Sequence, residues 1–461
     1  MSATPALSFR VKLYIATFLL AALPLAIPSL LAAPVPIALQ PWLQLLHGNA
    51  TQRENAIDSI GIDWSPESAA RAIEVLRFLQ PSRERSRLIS MLMMKTGFTE
   101  ADDWGDWLRW QWKQPQSDSV LDLVLKSELH SPIDSRFSKY FEGGQPHEIR
   151  YDEIVWGGVR QNGIPPLMNP AMLAADQATY LGDDHIVFGI VVKGVPYAYP
   201  KRILAWHEMF VATLEGVPLA GVYCTLCGAV VLYETEKDGK NYQLGTSGFL
   251  YRSNKLMFDE GTHSLWSTLE GKPVVGPLVS EGIKLKRRNV VTSSWGDWRE
   301  RFPSTQVLSL ETGHRRDYSE GAAYRDYFST DRLMFPVPFS DQRLKNKAEI
   351  LALLLGGQRK PVSISVEYLL SHRHYQGSFD GVSILVLADK ADVLRVYQGS
   401  ELFEDLDWNE SEYEIHAKGR LWKVEETHLQ GEKGERFERL PSHRAFWFGW
   451  HAAYPKTELI Q

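Results

Sequence analysis

The residues best suited to chemistry are the chain's two cysteines, three positions apart in Tyr223-Cys224-Thr225-Leu226-Cys227-Gly228. A C-x-x-C at a strand-to-turn transition brings both sulfurs to one side of a tight bend, and Gly228 lets the backbone fold back without a Cβ clash. Such a pair can cycle between dithiol and disulfide, supply two soft ligands to a metal, or form a small structural bridge. A closed zinc site needs four ligands and the chain has no further cysteine, so histidines or carboxylates must complete any metal site. The candidates are His207 and Glu208 in WHEM, just before the strand carrying Cys224, and Met257 and His263 in KLMFDEGTHSLW. Cysteine, histidine and methionine together favour copper or another soft or borderline metal. Each candidate also has a plainer role: a histidine on an amphipathic helix commonly makes structural hydrogen bonds, and a methionine in a strand commonly fills core.

A second polar constellation lies in GTSGFLYRSNKLMFD, which holds Ser247, Tyr251, Arg252, Ser253 and Asn254. Polar residues dense with glycine at a strand end suit a pocket lining. GTSG is not the G-x-S-x-G elbow of hydrolases, and no base stands beside Ser247 in the sequence; both argue against a nucleophilic serine.

The elements that must position these residues follow from length and pattern. At 461 residues the chain is expected to hold two or three domains. Its 44% hydrophobic and 23% charged residues exclude a disordered or collagen-like chain. With 50 basic and 56 acidic residues it carries a net charge of -6 and no long basic block, which argues against a nucleic-acid partner. Arg10 and Lys12 precede an apolar run from Leu13 to Ala33. That pattern predicts either a cleaved signal peptide over 1–33 or an uncleaved anchor over 13–33, the chain's sole membrane contact. Either way the remainder is expected outside the cytoplasm, periplasmic or secreted, where cysteines meet oxidising conditions.

Residues 41–130 show apolar spacings of three and four and read as short helices, with Ser65 and Ser82 as N-caps. HEAT-like stacking of helix pairs is the natural packing and offers a platform for a protein partner. Trp104, Trp107, Trp110 and Trp112 fit a sugar platform or, more plainly, core packing. Beyond residue 131 the runs HIVFGIVVKG, VPLAGVYC, AVVLYETE, KLMFDE and VSILVLAD read as strands. KDGK at Lys237–Lys240 reads as a hairpin turn. KRILAWHEMFVATLEG and KNKAEILALLLGG read as helical patches. The fold class expected is α+β, with a mostly β body behind an all-α segment.

The body shows a diverged internal duplication. Trp, Trp, aromatic, Pro and Thr recur at one spacing in WGDWRERFPSTQVL and WFGWHAAYPKTELI, 152 positions apart. His207 aligns with His372 and Gly216 with Gly381 at 165, and Trp266 with Trp422 at 156. Two related lobes, 131–345 and 346–461, are therefore expected. The offset of 165 puts Asp389 and Asp392 where the first lobe has cysteines, which marks the thiols as belonging to a site rather than to the shared fold.

AYPKRILAWHEM, GVYCTLCGAVVLYE, GTSGFLYRSNKLMFDEGTHSLWSTLEGKPVVGPL, TGHRRDY and FWFGWHAAYPKTEL together resemble the bacterial and archaeal domain-of-unknown-function family DUF3179, over about residues 130–461. The family usually has Pro between the paired cysteines, where Thr225 stands here. Helical-repeat segments ahead of the domain are familiar among its members. The resemblance implies no activity. The residues themselves leave three readings: an exported metal or thiol-redox protein centred on Cys224, Cys227 and His207; a binding or assembly module in which the C-x-x-C is a structural disulfide; or an enzyme of unrecognised type using the polar hairpin.

Overall fold

The computed structural model describes residues 35–116, 119–356, 360–399, 403, 406–408 and 413–461. The expected signal or anchor segment lies outside them, and among the described residues no helix is long and apolar enough to cross a membrane.

The helical reading of 41–130 holds. Helices span Gln40–His47, Ala50–Ile62, Ser68–Leu76, Arg83–Thr96, Trp104–Trp112 and Val120–His130. Local chemistry sets several starts: Asn49 and Gln52 form a capping box, and Ser82 accepts from the Arg85 amide. Ser65 does not cap. Pro66 and Glu67 form a turn first, the helix begins at Ser68, and the Ser65 hydroxyl donates to the Glu67 carboxylate at 2.7 Å. Trp42, Ile57, Ile73, Leu88, Leu92, Trp107 and Trp112 share one core with Val155 of the body. The seam is polar as well: Arg77 lies between the Trp104 and Trp156 rings, and the Trp112 indole donates to the Asp152 carbonyl at 2.9 Å.

The body is mostly β, built of several sheets, so the α+β class holds. One sheet is an antiparallel meander in the order Ile154–Trp156, Leu244–Tyr251, Asn254–Asp259, Leu265–Ser267, Lys272–Val275. A second contains Lys286–Arg288, Ala229–Glu234, Val217–Cys224, Met209–Leu214 and Leu167–Met168. A third runs Val291–Ser294, Ile186–Val192, Val195–Pro200, Gln306–Leu308, Met172–Ala174. KDGK forms its expected turn, with Lys237 paired to Lys240 and positive φ at Asp238 and Gly239.

Further along, Ser442–Phe446, Glu349–Leu355, Lys360–Ser365 and Glu458–Ile460 form a four-stranded sheet in that order. His374–Phe379, Val382–Ala388 and Leu394–Gln398 form a three-stranded one. The third and fourth of these sheets each pair a three-residue strand in parallel with a six-residue one: Gln306–Leu308 on Val195–Pro200, and Glu458–Ile460 on Lys360–Ser365. Helices Lys201–His207 and Val366–His372 each end on a left-handed residue, Glu208 (φ 55°) and Arg373 (φ 64°).

Two helical patches read from sequence need correction. KNKAEILALLLGG is a strand over Glu349–Leu355, because it is paired on both sides, to Lys360–Ser365 and to Ser442–Phe446. A strand covered on both faces reads as a continuous apolar run, which periodicity does not separate from a buried helix. In KRILAWHEMFVATLEG only Lys201–His207 is helical; Glu208 turns the chain into the strand Met209–Leu214.

Candidate functional site

Cys224 ends one strand of a hairpin and faces Ala229 at the start of the next, so residues 225–228 form the tip. Gly228 takes φ 61°, the left-handed region that a Cβ disfavours, and a Cβ there would also meet the Phe446 ring at 3.1 Å. With the tip folded back, Cys224 and Cys227 are joined as a disulfide with Cα atoms 5.5 Å apart, an ordinary span for the bond. Both residues are buried, 2% and 1% exposed. The Cys227 carbonyl accepts from the Phe446 amide at 2.8 Å, and the Leu226 carbonyl accepts from the Tyr327 hydroxyl at 2.7 Å. Helix Trp447–Ala453 lies against the bridge. A Cβ on Gly449 would stand 2.7 Å from the Cβ of Cys227, so only glycine allows this approach.

A charged network reaches into the C-x-x-C loop. Thr225, between the cysteines, donates its hydroxyl to Glu208 Oε1 at 2.8 Å. Lys255 Nζ meets Glu208 Oε2 at 2.8 Å, and the Tyr324 hydroxyl donates to Oε1 at 3.1 Å. The left-handed turn at Glu208 aims this carboxylate inward, and its carbonyl accepts from the Tyr223 amide at 2.8 Å. Burial lowers the pKa of Lys255, with the Glu208 carboxylate working against that shift. Burial likewise raises the Tyr324 phenol, and the same carboxylate adds to it.

Above Lys255 lies a cleft of about 190 Å³ whose lining includes Tyr251, Arg252, Asn254 and Leu269. Leu269 belongs to the same apolar cluster as the two cysteines. Asn254 donates to the Gly449 carbonyl at 2.8 Å and to the Arg252 carbonyl at 3.1 Å, while its Oδ1 is buried without a partner. Arg252 is held by Glu153 at 2.5 Å.

The residues singled out from sequence thus divide. Cys224, Cys227 and Glu208 come together, and Tyr251, Arg252 and Asn254 line the adjoining cleft. Ser253 and Ser247 turn elsewhere: Ser253 donates to the carbonyls of Phe335 and Pro336, and Ser247 to that of Leu256 at 2.6 Å. Met257 is core beside Trp266 and Val222. His263 sits in a turn at φ 56° with its ring stacked on Phe258.

His207 is engaged apart from the bridge. Its Nδ1 donates to the Pro165 carbonyl at 2.9 Å, which leaves Nε2 to accept from the Tyr318 hydroxyl at 2.5 Å. Burial holds its pKa below the usual imidazole value. Among the described residues, no three of His, Cys, Asp or Glu gather as a metal site would require. Sequence reasoning missed Lys255, Tyr324 and Gly449. A lysine in a short strand reads as surface, and the other two lie more than 90 residues from the cysteines.

A family model described as a protein of unknown function, DUF3179, matches residues 161–457. No curated protein and no solved structure matches the chain.

Proposed function

The chain belongs to the DUF3179 family, and we propose that this member is an exported thiol–disulfide redox protein centred on Cys224 and Cys227. The observation that carries the reading is a bonded pair backed by a buried hydroxyl, carboxylate and ammonium: Thr225, inside the loop, donates to Glu208, which Lys255 neutralises. In the reaction a partner thiolate attacks one sulfur, the S–S bond breaks, and the other cysteine leaves as a thiolate. A second partner thiol resolves the mixed disulfide. The partner loses two electrons and two protons, and both end on the cysteine pair as two thiols. Charged and proton-exchanging groups beside the loop suit the thiolates that form in passing. The positive-then-apolar N-terminus supports an oxidising compartment. A copper or similar soft-metal role for the same sulfurs requires the reduced pair and release of His207 from Pro165 and Tyr318.

The test is equilibration of the native protein in glutathione or dithiothreitol redox buffers, followed by alkylation and mass measurement. A redox pair reduces without unfolding, at a potential above about -300 mV. Reduction only on unfolding, or at a lower potential, sinks the reading. Metal content of the reduced protein tests the metal branch in the same sample.

One observation favours a second reading, a structural bridge: both sulfurs are buried. Against it, the hairpin of Val382–Ala388 and Leu394–Gln398 is closed at its tip without sulfur, which fits thiols kept for a site. There the Asp389 carboxylate accepts from the Val393 amide at 2.8 Å and pairs with Arg395 at 2.6 Å. The redox titration separates the two readings.

We also infer that the body is a duplication, with lobes 131–345 and 346–461 behind a HEAT-like segment over 41–130 that serves as a partner platform. The matched strand directions support this, as do the left-handed Glu208 and Arg373. So do the indole bonds from Trp298 to Thr305 and from Trp450 to Thr457, each 2.9 Å. Experimental coordinates in which 186–308 and 349–460 fail to superpose with Trp298 on Trp450 would end the duplication reading.

A further inference from the structure

With both cysteines buried, a partner thiol reaches the disulfide only if part of its cover moves. Most of that cover is fixed by sheet pairing. The C-x-x-C hairpin lies inside a five-stranded sheet. Helix Trp447–Ala453 follows directly on Ser442–Phe446 and is followed by Glu458–Ile460, both strands of the four-stranded sheet. Residues 324–344 differ. Among the described residues the chain has no strand between Leu308 and Glu349, and only the short helix Arg325–Phe328. Of residues 324–344, only Tyr327 and Val337 are buried. The backbone bonds of this stretch, Phe328 to Tyr324 and Ser329 to Arg325, stay inside it. Side chains hold it down instead. The Tyr327 hydroxyl donates to the Leu226 carbonyl at 2.7 Å, and Tyr324 to Glu208 Oε1 at 3.1 Å. Ser253 donates to the carbonyls of Phe335 and Pro336 at 3.2 and 3.1 Å. Tyr324, Tyr327, Phe328, Phe335 and Leu344 pack on the apolar cluster that contains both cysteines.

We propose that residues 324–344 form a strap over the cysteine pair, which lifts to admit a thiol partner and so gates reduction of the disulfide. This gate rests on the redox reading of Cys224 and Cys227 and supplies the way a buried pair meets its partner. The strap is the piece that moves because of what each cover must break. Moving the hairpin or the C-terminal helix disturbs sheet ladders. Lifting the strap breaks side-chain hydrogen bonds and parts one apolar face. Segments with few buried residues and no ladder open locally at the low end of a protein's free-energy range, and lids of this kind sequester a reaction centre from water. Closure also grips the loop itself. Tyr327 holds its tip at Leu226, and Tyr324 holds Glu208, which accepts from Thr225. Lifting the strap therefore frees the C-x-x-C loop as it uncovers the sulfurs.

The experiment measures how fast dithiothreitol reduces the full native protein, by alkylation and mass measurement at timed intervals. Each reduction passes two electrons and two protons from dithiothreitol, which closes to its cyclic disulfide, onto the cysteine pair as two thiols. Reduction is expected to outpace global unfolding followed by tryptophan fluorescence, because only the strap opens. Ser253→Ala releases the carbonyls of Phe335 and Pro336 and is expected to speed reduction about threefold to tenfold, with the equilibrium potential unchanged. Tyr327→Phe cuts the bond to Leu226 and should act in the same direction, a second reading if either variant folds poorly. Thr457→Val, which loosens the C-terminal helix at Trp450 instead, should leave the rate near the parent's. The strap is overturned if both strap variants reduce at the parent's rate, if reduction waits for global unfolding, or if Thr457→Val speeds it as much as they do. A potential in the range of structural disulfides sinks the redox reading instead, and the same rates still show whether the strap opens.

Discussion

Replacing Lys255 by Met tests the network under the cysteine loop most directly. The ammonium and the Glu208 carboxylate are 2.8 Å apart, with side chains 7% and 10% exposed. Removing the ammonium leaves the carboxylate buried with hydroxyl partners, Thr225 and Tyr324, and no countercharge. Breaking a buried pair in this way costs about 3–5 kcal/mol, whereas exposed pairs are worth ~0–1 kcal/mol. Glu208→Gln should cost a similar amount near neutral pH by stranding the ammonium. That loss depends on pH with a definite sign. Burial already lowers the pKa of Lys255 below 10.5, and Glu208 is the group opposing the shift. In Glu208→Gln the folded-state pKa falls further, so between it and 10.5 the unfolded chain binds more protons and stability rises with pH. The double variant, Glu208→Gln with Lys255→Met, should return to within ~1 kcal/mol of the parent, because neither charge is left alone. Urea unfolding followed by tryptophan fluorescence at pH 7 and pH 9.5 measures all four proteins. A loss below about 1 kcal/mol for Lys255→Met would mean that water reaches the pair, and the network as described would be wrong.

Other expectations rest on separate contacts. Replacing both cysteines by Ala should cost about 2 kcal/mol, the chain-entropy value for closing a four-residue loop; a thermal melt showing a loss above ~5 kcal/mol would mean that the bridge holds more than its own turn. Gly449→Ala drives a Cβ to 2.7 Å from that of Cys227 and should lower stability by ~1–3 kcal/mol, and an unchanged melting temperature would refute the packing. His130 is buried with its pKa lowered to about 4, so the folded protein excludes a proton that the unfolded chain takes up below pH 6.5. Some ~3 kcal/mol should be lost as pH falls from 6.5 to about 4. Denaturation at stepped pH checks this, and His130→Phe, facing Phe78, Phe141 and Phe249, should flatten the slope. Thr457→Val strands the buried Trp450 indole N–H and should cost ~1–3 kcal/mol by urea unfolding; a neutral result would show that the indole finds water instead.

Features governed by neighbours in sequence were legible without a structure. The KDGK turn needs only residues able to take positive φ at Asp238 and Gly239. Cys224 and Cys227 are held near each other by a three-residue separation, and the amphipathic helices of 41–130 bury the faces their spacing implies. The family was legible too, because its motifs are long and local. The strand at Glu349–Leu355 was not: seven residues rich in leucine suit a helix until partners on both sides convert them.

The candidate site follows the same division. The sequence alone determined that two thiols share a bend and that a polar hairpin and a histidine lie near in number. Tertiary structure decided which of these meet. Glu208 reaches Thr225 because its own left-handed backbone ends the helix, and Lys255 is buried against the same carboxylate. His207, one residue from Glu208, turns instead to Pro165 and Tyr318. Gly449 closes over Cys227 from 222 positions away. The physical reason is that spacing along the chain sets which side chains share a face, while burial, countercharge and hydrogen-bond partners come from segments that only folding brings into contact.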